Sequence, residues 1–88
     1  MRKILVVEDE DAIREVVALN LRLAGYEVTE AASAEQALAV FSPSAGFDVA
    51  VLDIMLPGMN GFSLCETIRR DSASIGIIML SAKTLETD

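Results

Sequence analysis

The chain has 88 residues, of which 52% are hydrophobic and 24% are charged, with only 5 glycines and 2 prolines. This composition predicts one compact soluble domain and excludes a linker, a disordered tail or a second domain. Fourteen acidic residues against seven basic ones give a net charge of −7, which repels nucleic acid phosphates and anionic membrane surfaces.

The rarest residue types exclude several kinds of site. The chain has no histidine and a single cysteine, Cys65, so zinc sites, Cys-His nucleophiles, Ser-His-Asp triads and an internal disulfide are excluded within it. The first apolar run covers residues 4–7 and ends at Glu8, which is too short for a signal peptide or a membrane span. We therefore expect a cytoplasmic protein that does not associate with membranes.

The first predicted elements are a strand and a helix. Residues 4–7 form a β-branched run without alternation, which is typical of a strand covered on both faces in a parallel sheet. Apolar residues then recur at the helical period between residues 13 and 24. Gly25 follows, where helices often end in the left-handed conformation.

A second strand and a second helix come next. Residues 27–31 predict a weaker strand at an edge of the sheet. Ser33 and Gln36 predict a capping box. The helix that this box opens carries apolar residues at helical spacing as far as Phe41.

The rest of the chain repeats the alternation. Residues 42–46 predict a loop, residues 50–52 a buried strand, and residues 56–61 a second loop. A third helix follows through Arg70, and residues 77–80 predict a fourth strand. The order β-α-β-α-β-α-β predicts an α/β fold with a parallel sheet and helices on both faces.

In such sheets, ligands bind beyond the carboxyl ends of the strands. The first predicted strand ends at Glu8 and Asp9, the third at Asp53 and the fourth at Ser81. If strands one and three are neighbours, three carboxylates meet there, and their repulsion is relieved by raised pKa values or by a cation. A hard ion such as Mg²⁺ fits these oxygen ligands.

The acidic residues next to this set have a simpler interpretation. Glu10 and Asp11 are expected to be helix N-terminal acids that complement the helix dipole. Asp53 follows a buried run, where an unpaired carboxylate is costly, so its role is predicted to be functional. It is a candidate nucleophile toward phosphorus, and the hydroxyl of Ser81 could donate a hydrogen bond to the phosphoryl oxygens.

Three segments of the chain resemble the receiver domains of two-component response regulators. Residues 4–10, 53–61 and 77–83 are similar to the acidic, phosphoacceptor and switch motifs of that family, in order and at the usual separations. The resemblance covers essentially residues 1–88 and implies one receiver domain. It implies a flavodoxin-like doubly wound parallel sheet with strand order 2-1-3-4-5.

The resemblance also implies roles for individual residues. Asp53 would accept a phosphoryl group from a sensor histidine kinase, Ser81 would be the switch hydroxyl, and the N–H of Ala82 would bind the phosphate. The Mg²⁺ ligands that it implies are Glu8, Asp9, Asp53 and the backbone carbonyl of Met55. The chain would then be a phosphoacceptor that takes part in its own phosphorylation and dephosphorylation, and not an enzyme with a separate substrate.

One part of the family pattern has no counterpart in these residues. Family members continue through a fifth strand that carries a lysine followed by proline, and Lys83 is not that lysine. We therefore expect a receiver domain that lacks its last βα portion, with residues 77–80 as an exposed strand edge. A homodimer or a strand-exchanged oligomer is expected, and DNA binding only through a further domain, most like the winged-helix regulators of the family.

Three alternatives use the same fold. An aspartate-nucleophile phosphatase would resemble Asp-x-Asp, but Met55 stands at the second position. A flavodoxin-like nucleotide binder needs a phosphate-binding loop where residues 8–11 are acidic. The third alternative is a protein-interaction module with the receiver shape that is never phosphorylated, and the sequence leaves it open.

Overall fold

A computed structural model describes residues 1–80 of the chain. Within that range, strands and helices alternate as predicted, and a short 3₁₀ turn at Pro43–Ala45 precedes the third strand. The elements are β1 (Lys3–Val7), α1 (Asp11–Leu23), β2 (Glu27–Ala31), α2 (Ala34–Val40), β3 (Val49–Asp53), α3 (Gly61–Asp71) and β4 (Gly76–Leu80). The predicted strands lie within one residue of these bounds at either end.

All strand pairs in the sheet are parallel, and their order is β2-β1-β3-β4. The predicted order 2-1-3-4 and the edge position of β2 are therefore confirmed for the four described strands. Val7, the last residue of β1, pairs with Ala31 of β2 and with Leu52 of β3. This register brings the carboxyl ends of β1 and β3 side by side.

Helices cover both faces of the sheet, which explains the uninterrupted apolar run of β1. Leu5 and Val7 face the cluster packed by α2 and α3. Ile4 and Val6 face the cluster that includes Val17 of α1. These four apolar side chains of β1 are at most 5% exposed. Burial of such side chains stabilises the folded state by about 1.5–3 kcal/mol each.

The helix ends show why the chain turns where it does. The Ser33 hydroxyl accepts a hydrogen bond from the Gln36 N–H at 3.1 Å, which confirms the N-cap of the predicted capping box. The return bond differs from the predicted one, because Gln36 Oε1 accepts from the Ala32 N–H at 2.9 Å and not from that of Ser33. Gly25 has a φ of +99° after α1, the left-handed conformation predicted for it. The Asn60 side chain caps α3 by accepting from the Ser63 N–H at 2.9 Å, an N-cap that the sequence pattern did not single out.

Several large apolar side chains are exposed in the described part. On α1, Val16, Leu19 and Leu23 are exposed, and on β4, Ile78 is 53% exposed. Cys65 is half-buried and packs against the core beneath α3, as expected of a structural cysteine. Across residues 1–80, none of the helices has the length and hydropathy needed to cross a membrane.

Candidate functional site

Three carboxylates meet at the carboxyl ends of β1 and β3. Because Val7 pairs with Leu52, the residues that follow them, Glu8 and Asp53, lie next to each other. Glu8 is 3% exposed and Asp53 is 2% exposed, whereas Asp9 is exposed. One carboxylate oxygen from each of the three lies within 4.8 Å of the other two. The predicted convergence of these residues is therefore found.

Backbone hydrogen bonds orient the two buried carboxylates. Glu8 Oε2 accepts from the Glu10 N–H at 3.0 Å, and Asp53 Oδ1 accepts from the Met55 N–H at 3.1 Å. The Glu8 N–H itself donates to the carbonyl of Ala31 at 3.1 Å, which extends the β1–β2 pairing to the site. Both carboxylates therefore have defined positions on rigid strand ends.

The electrostatics of the site penalise its negative charge. Burial raises the pKa of Glu8 from its ordinary value of 4.5 to about 7, and the neighbouring Asp9 and Asp53 add to this increase. The hydrogen bond from the Glu10 N–H lowers the pKa but does not offset the burial. Near neutral pH the site therefore either keeps a proton on Glu8 or gains stability from a cation.

The donor set fits a hard divalent cation. Carboxylate oxygens are the ligands that Mg²⁺ and Ca²⁺ take in proteins, and Mg²⁺ needs only one or two of them because it keeps several waters. The oxygens of Glu8, Asp9 and Asp53 are close enough together to share one ion. The exposure of Asp9 leaves a side of the site open to solvent and to a ligand.

The other predicted site residues lie around this cluster or outside the described residues. Met55 lies in the turn after β3, and the role of its carbonyl as a metal ligand stays a prediction. Ser81 and Ala82 lie outside the described residues. Glu10 precedes α1, and Asp11 lies in its first turn, where it pairs with Arg14 at 2.5 Å. This placement supports the interpretation of these two acids as structural.

Gly61 is a further residue of the site that the sequence reasoning did not identify. Its N–H donates to the carbonyl of Ile54 at 2.9 Å, so α3 begins directly behind the end of β3. A Cβ at this position would overlap the carbonyl oxygen of Asp53 and lie 2.8 Å from the Ile54 Cα. The close approach requires glycine, and a glycine directly after the capping residue Asn60 is the sequence signal of it.

The chain is similar to proteins of known family. The family profile described as the response regulator receiver domain matches residues 4–88. The alkaline phosphatase synthesis transcriptional regulatory protein SphR of Synechococcus elongatus is 48% identical over an alignment of 94 positions that covers 98% of this chain. The match covers 37% of SphR, so the chain spans little more than a third of that relative.

Solved structures share the fold as well as the sequence. The response regulator TrrA of Thermotoga maritima in complex with Mg²⁺-BeF has a TM-score of 0.86 and 40% identity over 93% of this chain and 70% of its own. TrrA in complex with the histidine kinase ThkA has a TM-score of 0.85 and the same identity and coverage. The four-stranded sheet described above is therefore the CheY-like receiver fold.

The first prediction tests the close packing of Gly61. In Gly61→Ala, the added Cβ overlaps the backbone at the end of β3, so we expect the free energy of unfolding to fall by about 1–3 kcal/mol. Gly76→Ala is the matched control, because a Cβ there meets Val49 Cγ2 at an ordinary 3.5 Å. Urea denaturation measures both variants. Equal stability of the two would contradict this account.

The second prediction follows from the raised pKa of Glu8. Between pH 4.5 and about 7 the folded chain keeps a proton that the unfolded chain has released, so stability falls as the pH rises through this range. Glu8→Gln removes the ionisable carboxyl and, with it, this fall in stability. In the presence of a chelator, we expect the variant to gain about 1–3 kcal/mol relative to the wild type between pH 4.5 and pH 8.

The control for this measurement is Glu66→Gln, which changes an exposed carboxylate on α3. Denaturant unfolding at several pH values gives the stability difference between each variant and the wild type. Glu66→Gln leaves the buried Glu8 carboxyl in place and should not show the gain expected of Glu8→Gln. If Glu8→Gln gained no more stability than Glu66→Gln between pH 4.5 and pH 8, burial would not be raising the pKa of Glu8.

Proposed function

The chain belongs to the response regulator receiver domain family, and on that premise we propose that Asp53 accepts a phosphoryl group from a histidine kinase. The proposed Mg²⁺ ligands are Glu8, Asp9, Asp53 and the carbonyl of Met55. Ser81 and Ala82, which lie outside the described residues, would bind the phosphoryl oxygens. The chain acts in this proposal as a phosphoacceptor and not as an enzyme with a separate substrate.

One observation carries the proposal: the Asp53 carboxylate is at the end of a buried strand, 2% exposed, and within 4.8 Å of two other carboxylates. The hydrogen bond from the Met55 N–H to Oδ1 holds the Asp53 side chain at the strand end. Carboxylates this close together repel each other, and groups with a perturbed pKa, such as the neighbouring Glu8, cluster at functional sites.

The proposed reaction is a displacement at phosphorus. A carboxylate oxygen of Asp53 forms a bond to phosphorus while the bond between phosphorus and the donor nitrogen breaks, and the electron pair leaves with that nitrogen. When bound, Mg²⁺ neutralises the negative charge on the carboxylates and on the phosphoryl oxygens. Glu8 and Asp53 keep their orientation through the backbone bonds described above.

Relatives support the proposed partners. The complex of TrrA with ThkA pairs a receiver of the same fold with a histidine kinase, and SphR is named as a transcriptional regulatory protein. We propose a sensor histidine kinase as the phosphodonor and control of transcription as the output. The net charge of −7 favours DNA contact through a separate domain, and a cytoplasmic location is part of the same proposal.

Self-association is a second part of the proposal. Among the described residues, β4 pairs with β3 along one side and is the last strand of the sheet order, and Ile78 on it is 53% exposed. An apolar edge strand offers unpaired backbone groups to a second chain. We propose a homodimer or a strand-exchanged oligomer that forms through β4.

The third prediction tests phosphorylation. We expect the protein, incubated with Mg²⁺ and a small phosphodonor such as acetyl phosphate, to gain the mass of one phosphoryl group. Asp53→Ala should abolish the gain because the nucleophile is removed, whereas Asp71→Asn, an exposed carboxylate at the end of α3, should retain it. Intact mass spectrometry measures the mass gain of the wild type and of both variants.

Two results would contradict the phosphoacceptor role. A wild-type protein that gains no mass would favour the interaction module that is never phosphorylated. A gain that persists in Asp53→Ala would place the acceptor on another residue.

The fourth prediction tests the strand edge. We expect the weight-average mass in sedimentation equilibrium to rise with protein concentration. Ile78→Lys should reduce this rise, since a charge on an edge strand opposes pairing. Val16→Lys, which changes an equally exposed apolar residue on α1, is the control. A mass that is independent of concentration would exclude self-association, and an effect of Val16→Lys alone would place the contact on α1.

A further inference from the structure

Arg14 connects the loop of residues 8–10, called the acidic loop below, to the rest of the fold. Its guanidinium Nη1 donates to the backbone carbonyl of Glu8 at 2.8 Å, Nη2 binds Asp11 Oδ1 at 2.5 Å, and Nε lies 3.4 Å from Glu30 Oε1 on β2. The Arg14 side chain is only 14% exposed. Three different contacts therefore fix the planar group, which is the kind of recognition that arginine performs and lysine does not.

These contacts surround Asp9. The carbonyl of Glu8 accepts from the Arg14 side chain, and the carbonyl of Glu10 accepts from the Arg14 backbone N–H at 2.9 Å. The Glu10 N–H, in turn, donates to the Glu8 carboxylate. The peptide group before Asp9 is thus tied to the Arg14 side chain on α1, and the peptide group after Asp9 is tied to the Glu8 carboxylate. Because Asp9 itself is exposed, the path of its neighbours sets the position of its carboxylate.

We propose that Arg14 is a positioning residue of the acidic site: it holds the loop from Glu8 to Glu10 so that the Asp9 carboxylate faces those of Glu8 and Asp53. The inference rests on the proposed Mg²⁺ site. Arg14 acts through the loop backbone, while its charge is paired with Asp11 and Glu30. It thereby rigidifies the metal ligands from outside, a role that often changes metal affinity by about 10–100-fold.

The charge of Arg14 allows its two possible roles to be distinguished by the direction of the change in Mg²⁺ affinity. A positive charge near three carboxylates competes with a bound cation, so removing that charge would by itself strengthen Mg²⁺ binding. Loss of the loop geometry weakens binding instead. A positioning role and a purely electrostatic role of Arg14 therefore predict opposite changes in Mg²⁺ affinity when the charge is removed.

The fifth prediction uses this opposition in the whole protein. Arg14→Met removes the charge and keeps the apolar stem, and Arg14→Lys keeps the charge but cannot make all three contacts. We expect both variants to bind Mg²⁺ about tenfold more weakly than the wild type. Isothermal titration calorimetry measures the affinity, at a temperature where the circular dichroism spectrum of each variant is native.

Arg22→Met is the matched control. Arg22 also lies on α1 and also pairs with Glu30, at 3.1 Å, but its other contact is the carbonyl of Val28 and not the acidic loop. We expect its Mg²⁺ affinity to stay within about twofold of the wild-type value, as for an exposed ion pair. Asp9→Asn removes a proposed ligand, and its Mg²⁺ affinity is the reference value for a site that has lost one ligand.

The outcomes separate this inference from the proposed function. If Arg14→Met binds Mg²⁺ as tightly as the wild type or more tightly, or if Arg14→Lys retains full affinity, the positioning role is wrong and the metal site stands. If the wild type binds no Mg²⁺, or if Asp9→Asn binds it unchanged, the proposed metal site is wrong and the inference falls with it.

Discussion

Electrostatic repulsion among Glu8, Asp9 and Asp53 is the constraint that the rest of the structure must overcome. The residues are brought together because β1 and β3 are parallel neighbours that end at the same edge of the sheet. The strands that hold them are stabilised by burial, since Val7 and Leu52 are fully buried directly before Glu8 and Asp53. Packing energy in the sheet therefore maintains a charge arrangement that is unfavourable by itself.

The three carboxylates differ in burial, so the site has a buried side and an exposed side. Glu8 and Asp53 are almost fully buried and held by backbone N–H groups, and Gly61 places the first turn of α3 directly against the carbonyl of Asp53. Asp9 is on the open side. A cation that enters there keeps part of its water shell, as Mg²⁺ requires, and the rigid inner carboxylates do not have to move to meet it.

Sequence reasoning predicted the parts of this structure that depend on local patterns. The short apolar runs predicted the strands, and the strand ends then predicted Glu8, Asp9 and Asp53, because parallel topology places such ends together. Gly61 was assigned to a loop because its role depends on a close approach to residues seven and eight positions earlier. Arg14 was not singled out because its partners, on the loop and on β2, become neighbours only in the folded chain.

The placement of the basic side chains explains how the site can be both well ordered and strongly negative. Arg14 and Arg22 both pair with Glu30 on β2, and Arg14 reaches the site through the carbonyl of Glu8. A direct ion pair with Asp53 would stabilise its charge but would have to be broken before a cation or a phosphoryl group could bind there. By bonding to the backbone instead, Arg14 contributes order without occupying the position of the ion. The remaining negative charge of the three carboxylates is then available to attract a divalent cation.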